Sequence, residues 1–184
     1  GNGSSTIPAF DSGFVVDMAI ARQPASTDNW REFDRLRGAR YLLPNNTDMR
    51  SSPSTWVHWD SNVGVGTNFT SSYQSWMWKR HAGFDVVAYK GNSVSQSNGG
   101  HAIAHNLSKT PEMIWIKDRD QSSNWHVFHK NLTGNNILIL NSSSGTSGTY
   151  GDSEDFVSES STHFTIGSEN AINNSSRNYL AMLF

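Results

Sequence analysis

The chain has 184 residues, 16% of them charged, and a net charge of −2 at pH 7. Proteins that bind a phosphate backbone need a larger surplus of basic residues, so no nucleic-acid ligand is predicted. The sequence contains no cysteine, which excludes disulfides, thiolate catalysis and cysteine-based zinc sites. No apolar run reaches the roughly 18 residues of a membrane-spanning helix, so membrane insertion is not predicted either.

In order along the chain, the apolar residues predict short β-strands joined by polar turns. The runs "FVVDMAIA" (residues 14–21) and "EMIWIK" (residues 112–117) are rich in Val, Ile, Met and Trp, which is typical of buried strands. The runs "NILILN", "HFTIG" and "YLAMLF" continue this pattern in the second half. The best helical candidate is residues 28–39, where Asp28 is a typical capping residue and Gly38 a typical end. We therefore predict an all-β fold, with a turn of helix at residues 28–39 as a minor alternative.

One pentapeptide occurs almost twice: "NWREF" begins at Asn29 and "NWHVF" begins at Asn124, 95 residues later. The same offset brings Met18 opposite Met113 in the strand-like run that precedes each pentapeptide. The residues that close each half also match, as "YQSWMW" and "YLAMLF", at an offset of 106. Several matches in the same order indicate a duplicated unit with insertions in the second copy.

The duplication and the density of short strands together predict the architecture. Short antiparallel strands separated by polar turns bury one face of each sheet against another sheet. We predict two tandem antiparallel β-sandwich modules of the jelly-roll or lectin-like type, residues 1–90 and residues 91–184. The shared Trp and Phe are predicted to anchor the two cores: Trp30 and Phe33 in the first module, Trp125 and Phe128 in the second.

Longer motifs extend beyond the pentapeptide. The first half contains "NWREFDRLRGARYLLPNNTD", "VGVGTN" and "SYQSWMWKRHAGFDVVAYKGN", and the second half contains "IAHNLSKTPEMIWIKDRDQSSNWHVFHKNL". Over nearly the whole chain these motifs resemble a repeated β module of marine bacteriophage virion proteins, in which such modules occur in tail fibres or other appendages. The resemblance implies a virion location, contacts with other virion proteins and a homo-oligomer, a trimer in a fibre. It brings no catalytic residue, so no enzyme is predicted.

Residues 49–60 depart from this pattern because they carry two Trp where the resemblance implies a plain polar strand. Trp56, His58 and Trp59 form the candidate ligand site, and strand alternation places Trp56 and His58 on one face and Trp59 on the other. Sugars stack their apolar faces on Trp while polar side chains bind the hydroxyls. Two interpretations stay open, a glycan site and ordinary core packing, and the second is favoured for each ring.

Four arginines cluster within ten residues of the first module: Arg31, Arg35, Arg37 and Arg40. Such a cluster could bind an anionic sugar or a lipid headgroup. The favoured alternative is a solvated face on which these arginines pair with Glu32 and Asp34.

Histidine and carboxylate spacings predict no metal site. Two histidine pairs have spacings that would align on a helix but lie in predicted strands or turns: His101 with His105, and His126 with His129. The acidic residues Asp152, Glu154 and Asp155 offer oxygen ligands for calcium but lack the regular ladder of a dedicated site. We predict a solvated turn at these three residues, with no metal and no other cofactor.

Together these patterns predict a non-enzymatic virion structural protein, a segment of a phage tail fibre or appendage that could recognise a host-surface polysaccharide. One alternative is a capsid-decoration or filament subunit that binds no ligand. A second alternative is a polysaccharide depolymerase, which needs two opposed carboxylates in a cleft, and the sequence contains no motif that indicates such a pair.

Overall fold

The computed structural model describes residues 1–3, 5–132, 136–144 and 156–184. Its regular structure is nearly all β, so the predicted all-β class is confirmed. The chain forms two compact units: unit 1 is Gly1–Asn46 with Arg50–Arg80, and unit 2 is Thr47–Met49 with His81–Phe184. Each unit has its own hydrophobic cluster.

Unit 1 contains the first five strands: β1 (Phe10–Asp11), β2 (Met18–Arg22), β3 (Arg31–Asp34), β4 (Gly64–Val65) and β5 (Gln74–Trp78). Strand β2 is the middle strand of an antiparallel sheet of order β3-β2-β5, and β1 pairs with β4. Both sheets contribute to the core, since Phe10 and Val65 lie in one cluster with Ala19 and Phe33. The minor helical alternative for residues 28–39 is wrong, because β3 forms there and pairs along its length with β2.

Unit 2 contains eight described strands, one short α-helix and one turn of 3-10 helix (Gln96–Asn98). The strands and the α-helix are β6 (Asp85–Lys90), β7 (His101–Ala104), β8 (Met113–Asp118), β9 (His126–His129), β10 (Leu138–Ile139), β11 (Phe156–Glu159), β12 (His163–Ile166), α1 (Asn170–Asn173) and β13 (Asn178–Leu183). They form a five-stranded sheet of order β10-β9-β8-β13-β6 and a three-stranded sheet of order β11-β12-β7. The core draws Phe164 and Ile166 from the smaller sheet and Ile114, Ile116 and Leu183 from the larger one.

The same three-strand pairing occurs in both units with the same register. In unit 1 the strand β2 pairs with β3 and β5, and in unit 2 the strand β8 pairs with β9 and β13. Corresponding partners differ by the offsets of 95 and 106 found in the sequence: Ala19 lies opposite Phe33 and Met77, and Ile114 lies opposite Phe128 and Leu183. The sequence offsets therefore correspond to equivalent positions in the two sheets.

The two units divide between Arg80 and His81, ten residues before the predicted boundary between residues 90 and 91. The difference is strand β6, which the sequence places at the end of the first module. In the structure β6 pairs with β13 from Lys90 opposite Asn178 to Asp85 opposite Leu183. The strand with which β6 pairs determines the unit to which β6 belongs. A run of apolar residues does not indicate that pairing partner.

Two of the four predicted core anchors occupy cores between sheets. Phe33 is fully buried, with its ring 5.9 Å from that of Phe69. Phe128 packs on the unit 2 core and stacks on Phe156 with ring centroids 3.9 Å apart. Phe33 therefore lies in the unit 1 core, and the partly buried Phe128 packs against the unit 2 core.

The two Trp of the repeated pentapeptide have different surroundings. Trp125 is fully buried, although it lies outside the cluster that holds Phe128. The core prediction is wrong for Trp30, which is only half-buried and packs beside the exposed Trp76 at 5.0 Å, with the Arg22 guanidinium 5.2 Å above its ring. Trp30 is three residues from Phe33, and residues an odd number apart in a strand point to opposite faces.

An asparagine pair, here called the Asn clasp, occurs in both units beside this Trp. In unit 1 the backbone N–H of Trp30 donates to Asn45 Oδ1 at 3.0 Å, and Asn45 Nδ2 donates to Asn29 Oδ1 at 2.8 Å. In unit 2 the backbone N–H of Trp125 donates to Asn141 Oδ1 at 2.8 Å, and Asn141 Nδ2 donates to Asn124 Oδ1 at 3.0 Å. The Asn of the repeated Asn-Trp pair is thus one half of a side-chain bridge across a loop.

We expect Trp125→Ala to lower the free energy of unfolding by about 3–5 kcal/mol, because it empties a fully buried indole site. The matched change Trp30→Ala should lower it by only about 1 kcal/mol, because Trp30 is already partly exposed. Chemical denaturation of both variants measures the difference. Equal losses in the two variants would contradict the assigned burial.

Asn141→Ala should destabilise the chain by about 1–2 kcal/mol, because it removes the acceptor of the Trp125 N–H and the donor to Asn124. The control is Asn106→Ala, which truncates an exposed amide of the same unit and should be close to neutral. Thermal melts that show the same loss for both variants would show that the Asn clasp contributes nothing specific.

Candidate functional site

The segment that carries Trp56 is a loop whose polar side chains and backbone groups hold it in place. Ser51 N–H donates to the Tyr41 carbonyl at 3.0 Å, and Tyr41 N–H donates in return to Ser51 Oγ at 3.0 Å. Ser54 Oγ accepts from the Trp56 N–H at 3.2 Å. The Trp56 carbonyl accepts from the Thr67 N–H at 2.9 Å. Serine hydroxyls that bond to nearby backbone groups favour such turns over regular strands.

Two of the three predicted ligand residues have structural contacts instead. Trp59 packs against the unit 1 core, and its Nε1–H donates to the Gly38 carbonyl at 2.9 Å. The His58 Nε2–H donates to the Thr55 carbonyl at 2.8 Å and so stabilises the loop. Both contacts hold the segment in place and leave Trp56 as the exposed member of the predicted set.

Trp56 remains 37% exposed while the rest of its ring packs against core aromatic rings. Its ring plane is nearly perpendicular to those of Phe69 and Tyr73, with ring centroids 5.7 and 6.2 Å away. An indole that is supported by core rings yet partly open to solvent is a rigid platform on which an apolar ligand face can stack.

Two adjoining hollows meet at Trp56. A cavity of about 190 Å³, here called the Trp56 pocket, has an aromatic and apolar floor and one cation: Phe33, Tyr41, Trp56, Val57, Phe69 and Arg31. A wider open hollow of about 490 Å³ shares Tyr41, Ser54 and Trp56 with it and runs over the loop residues 51–55. Aromatic surface and hydroxyl groups therefore line one continuous depression in unit 1.

Arg31 is the charged side chain of the Trp56 pocket. Its guanidinium carbon lies 5.9 Å from the ring centre of Tyr41 and 6.0 Å from that of Trp56. Its Nη1 donates to the Tyr73 hydroxyl at 3.3 Å. The sequence prediction missed Tyr41 as a site residue. It considered Arg31 only as a member of a cluster that could bind an anionic sugar, because nothing in the pattern separates Arg31 from its three neighbours.

Those three neighbours have structural partners. Arg35 donates to the Val16 and Trp59 carbonyls, at 2.9 and 3.0 Å, and Arg40 donates to the Ser51 carbonyl at 2.7 Å. Arg37 is buried and pairs with both Glu32 and Asp34. Arg37 therefore has the predicted partners. The predicted solvated setting is wrong for this group, because Arg37, Glu32 and Asp34 are all buried.

Burial acts on the pKa of Arg37 against its charged form, but the two neighbouring carboxylates outweigh this effect and raise the pKa. The ion pairs of Arg37 are thus fixed parts of the unit 1 fold.

A larger open hollow of about 600 Å³ in unit 2 is less suited to ligand binding. Its lining includes Glu112, which pairs with Lys130 at 2.5 Å, and Phe184, which packs beside Phe84 and Trp115. Glu112 and Phe184 of this hollow therefore already have protein partners.

The histidine pairs do not converge on a metal. His101 Nδ1–H donates to Asn173 Oδ1 at 2.9 Å, and His105 Nε2–H donates to the Ser160 carbonyl at 3.2 Å. Within the described ranges, no three His, Asp or Glu side chains come together as metal ligands. The predicted solvated turn at Asp152, Glu154 and Asp155 lies outside the described residues.

The whole chain, residues 1–184, matches a family described as a domain of unknown function, DUF7483. The chain belongs to this family. No curated protein and no solved structure matches it. None of the described helices has the length and apolar character needed to cross a bilayer. The family description states no role, so the resemblance to phage virion modules stays a prediction.

His126, at the register position in unit 2 that Arg31 occupies in unit 1, is buried. Burial and the positive charge of Lys117 lower the pKa of His126 to about 4, below its ordinary 6.5. Burial likewise lowers the pKa of Lys117, to about 8, so Lys117 stays charged throughout the acidic range. Between pH 6.5 and pH 4 the unfolded chain therefore binds a proton at His126 that the folded chain does not.

We expect this difference to reduce the free energy of unfolding by roughly 2–3 kcal/mol between pH 7 and pH 4.5, in addition to losses at other groups. His126→Gln should remove that share of the loss, whereas His81→Gln, at an exposed histidine of the same unit, should retain it. Urea denaturation at a series of pH values measures all three proteins. A His126→Gln curve with the slope of the parent would contradict the assignment.

Proposed function

We propose that the chain is a non-enzymatic structural component of a virion, a segment of a phage tail fibre or appendage, which binds a host-surface glycan at the Trp56 pocket. The observation that carries the binding proposal is the exposed Trp56 ring beside hydroxyl-bearing loop residues in a cavity. The virion location, self-association (as a trimer in a fibre) and contacts with other virion proteins are parts of the same proposal and rest on the sequence resemblance.

We further propose that the two units are tandem copies of one antiparallel β-sandwich module. Three features support this: the identical register of β2 and β8 with their two neighbours, the contribution of two sheets to each core, and the Asn clasp in each unit. A register that agrees at both edges of a strand is strong support, because a slip of one residue would invert every side chain.

The chemistry of the Trp56 pocket fits a saccharide. The indole offers an apolar stacking face, and Tyr41 provides a second aromatic ring in the same cavity. The exposed loop residues Ser52 and Thr55 bring hydroxyl groups to the adjoining hollow, where they can exchange hydrogen bonds with sugar hydroxyls. This division between stacking surface and hydrogen-bonding rim is typical of small-ligand sites.

The depolymerase alternative needs two carboxylates that face each other across the bound sugar. Among the described residues that line the two hollows at Trp56, none is Asp or Glu. We therefore assign these hollows to binding rather than to bond cleavage. The other alternative, a capsid-decoration or filament subunit without ligand, leaves the exposed Trp56 platform without a role.

We expect Trp56→Ala to weaken glycan binding by roughly 10- to 30-fold, as the loss of a central aromatic contact worth about 2 kcal/mol implies. Its effect on stability should be small, because a large part of the ring is already exposed. A glycan array that includes bacterial surface polysaccharides identifies the ligand, and isothermal titration measures the change.

The matched control is Trp76→Ala, which removes another exposed indole of unit 1 outside the pocket and should leave binding unchanged. If Trp56→Ala binds as well as the parent, the Trp56 pocket is not the glycan site. Release of reducing ends from the bound polysaccharide would favour the depolymerase instead.

A further inference from the structure

The Trp56 pocket holds a guanidinium whose position is set by the sheet. Arg31 is the first residue of β3, directly opposite Ala21 of β2, and it lies two residues from the buried Phe33. Residues two apart in a strand share one face, so the side chain of Arg31 leaves the sheet on the core side, at its rim. The bond to the Tyr73 hydroxyl then holds the guanidinium at the pocket.

Two of the other cluster arginines pair with carboxylates, whereas Arg31 does not. Arg35 has Asp17 at 3.5 Å, and Arg37 has two carboxylates. In the described part of the chain, no carboxylate lies within ion-pair distance of Arg31. A guanidinium has five N–H donors, and the Tyr73 hydroxyl takes up one nitrogen, so the remaining donors are available to a ligand.

The two aromatic rings orient this charge without neutralising it. Tyr41 and Trp56 lie at cation–π distance from the Arg31 guanidinium, and such contacts stabilise a cation while leaving its hydrogen-bonding edge open. A planar guanidinium with an open edge matches the geometry of a carboxylate, which it can bind through two parallel hydrogen bonds. A neutral sugar would leave that charge unmatched.

We propose that the Trp56 pocket selects acidic saccharides, with the sugar ring stacked on Trp56 and its anionic group bound by Arg31. A hexuronate carries its carboxylate at the edge of the ring, so a ring stacked on the indole presents that group to a cation beside the same indole. A sulfated hexose offers the same anionic chemistry. This inference rests on the proposed glycan-binding function and adds the ligand class to it.

The test compares two probes with the same sugar backbone, one charged and one neutral: an oligogalacturonate and its methyl ester. The parent protein should bind the acid at least about tenfold more tightly than the ester, and rising salt should reduce the difference. A sulfated galactan oligomer and its desulfated form make a second pair. Preference for either charged form supports the acidic selection and identifies the anion that the site takes.

Arg31→Gln should remove the preference while weak binding of the neutral probe persists, and Arg31→Lys should keep a reduced preference because the charge remains. Lys79→Gln removes one exposed positive charge of unit 1 outside the pocket and should change nothing. Far-ultraviolet circular dichroism confirms that each variant folds. If Arg31→Gln fails to fold, the acid–ester comparison on the parent protein still tests whether the pocket prefers acidic saccharides.

The outcomes separate this inference from the proposed function. Equal affinity of the parent for charged and neutral probes overturns the acidic selection, as does a preference that survives in Arg31→Gln. Binding on the array to neutral glycans alone, lost in Trp56→Ala, overturns the selection but supports the glycan site. No binding to any charged or neutral glycan overturns both.

Discussion

The antiparallel register between β2 and its two neighbours determines what the surface of unit 1 can present. It places Phe33 on the core side of β3, and with Phe33 it places Arg31 at the rim of the same face. The aromatic floor under Trp56 therefore follows from strand pairing, whereas the loop above it depends on hydrogen bonds between serine side chains and backbone. The sheet thus carries Arg31, and a loop held by hydrogen bonds carries Trp56. Binding residues commonly lie on loops that a stable scaffold positions.

Much of the strand pairing could be predicted from the sequence, because matched residues recur at constant spacings in the two halves. The offsets of 95 and 106 correspond to equivalent register positions in the two sheets. The Asn clasp also had a sequence signal, since Asn45 and Asn141 occupy matched places after the pentapeptide. The exact bounds of the two units could not be predicted, because they depend on the pairing of β6 with β13, which joins residues almost a hundred positions apart.

Side-chain surroundings were less predictable than strand pairing, and the Trp residues show why. Trp30 and Trp125 occupy the same position in the pentapeptide, yet one is half-exposed and the other is fully buried. Trp56 and Trp59 are three residues apart in a segment that is predicted as a strand but forms a loop, so alternation does not apply to them, and only the fold shows that Trp59 packs against the core. The sequence pattern does not distinguish the four clustered arginines from one another. Their different partners depend on carbonyls and carboxylates that the fold brings to them.

The register position shared by Arg31 and His126 shows how two similar sheets can differ in electrostatics. At this position unit 1 keeps a permanent cation at a solvent-facing rim, supported by the electron-rich faces of two rings. Unit 2 buries the His126 imidazole there, and burial disfavours its protonated form. Two sheets with the same strand register can therefore differ at one position in whether the side chain meets solvent as a cation or stays enclosed without charge.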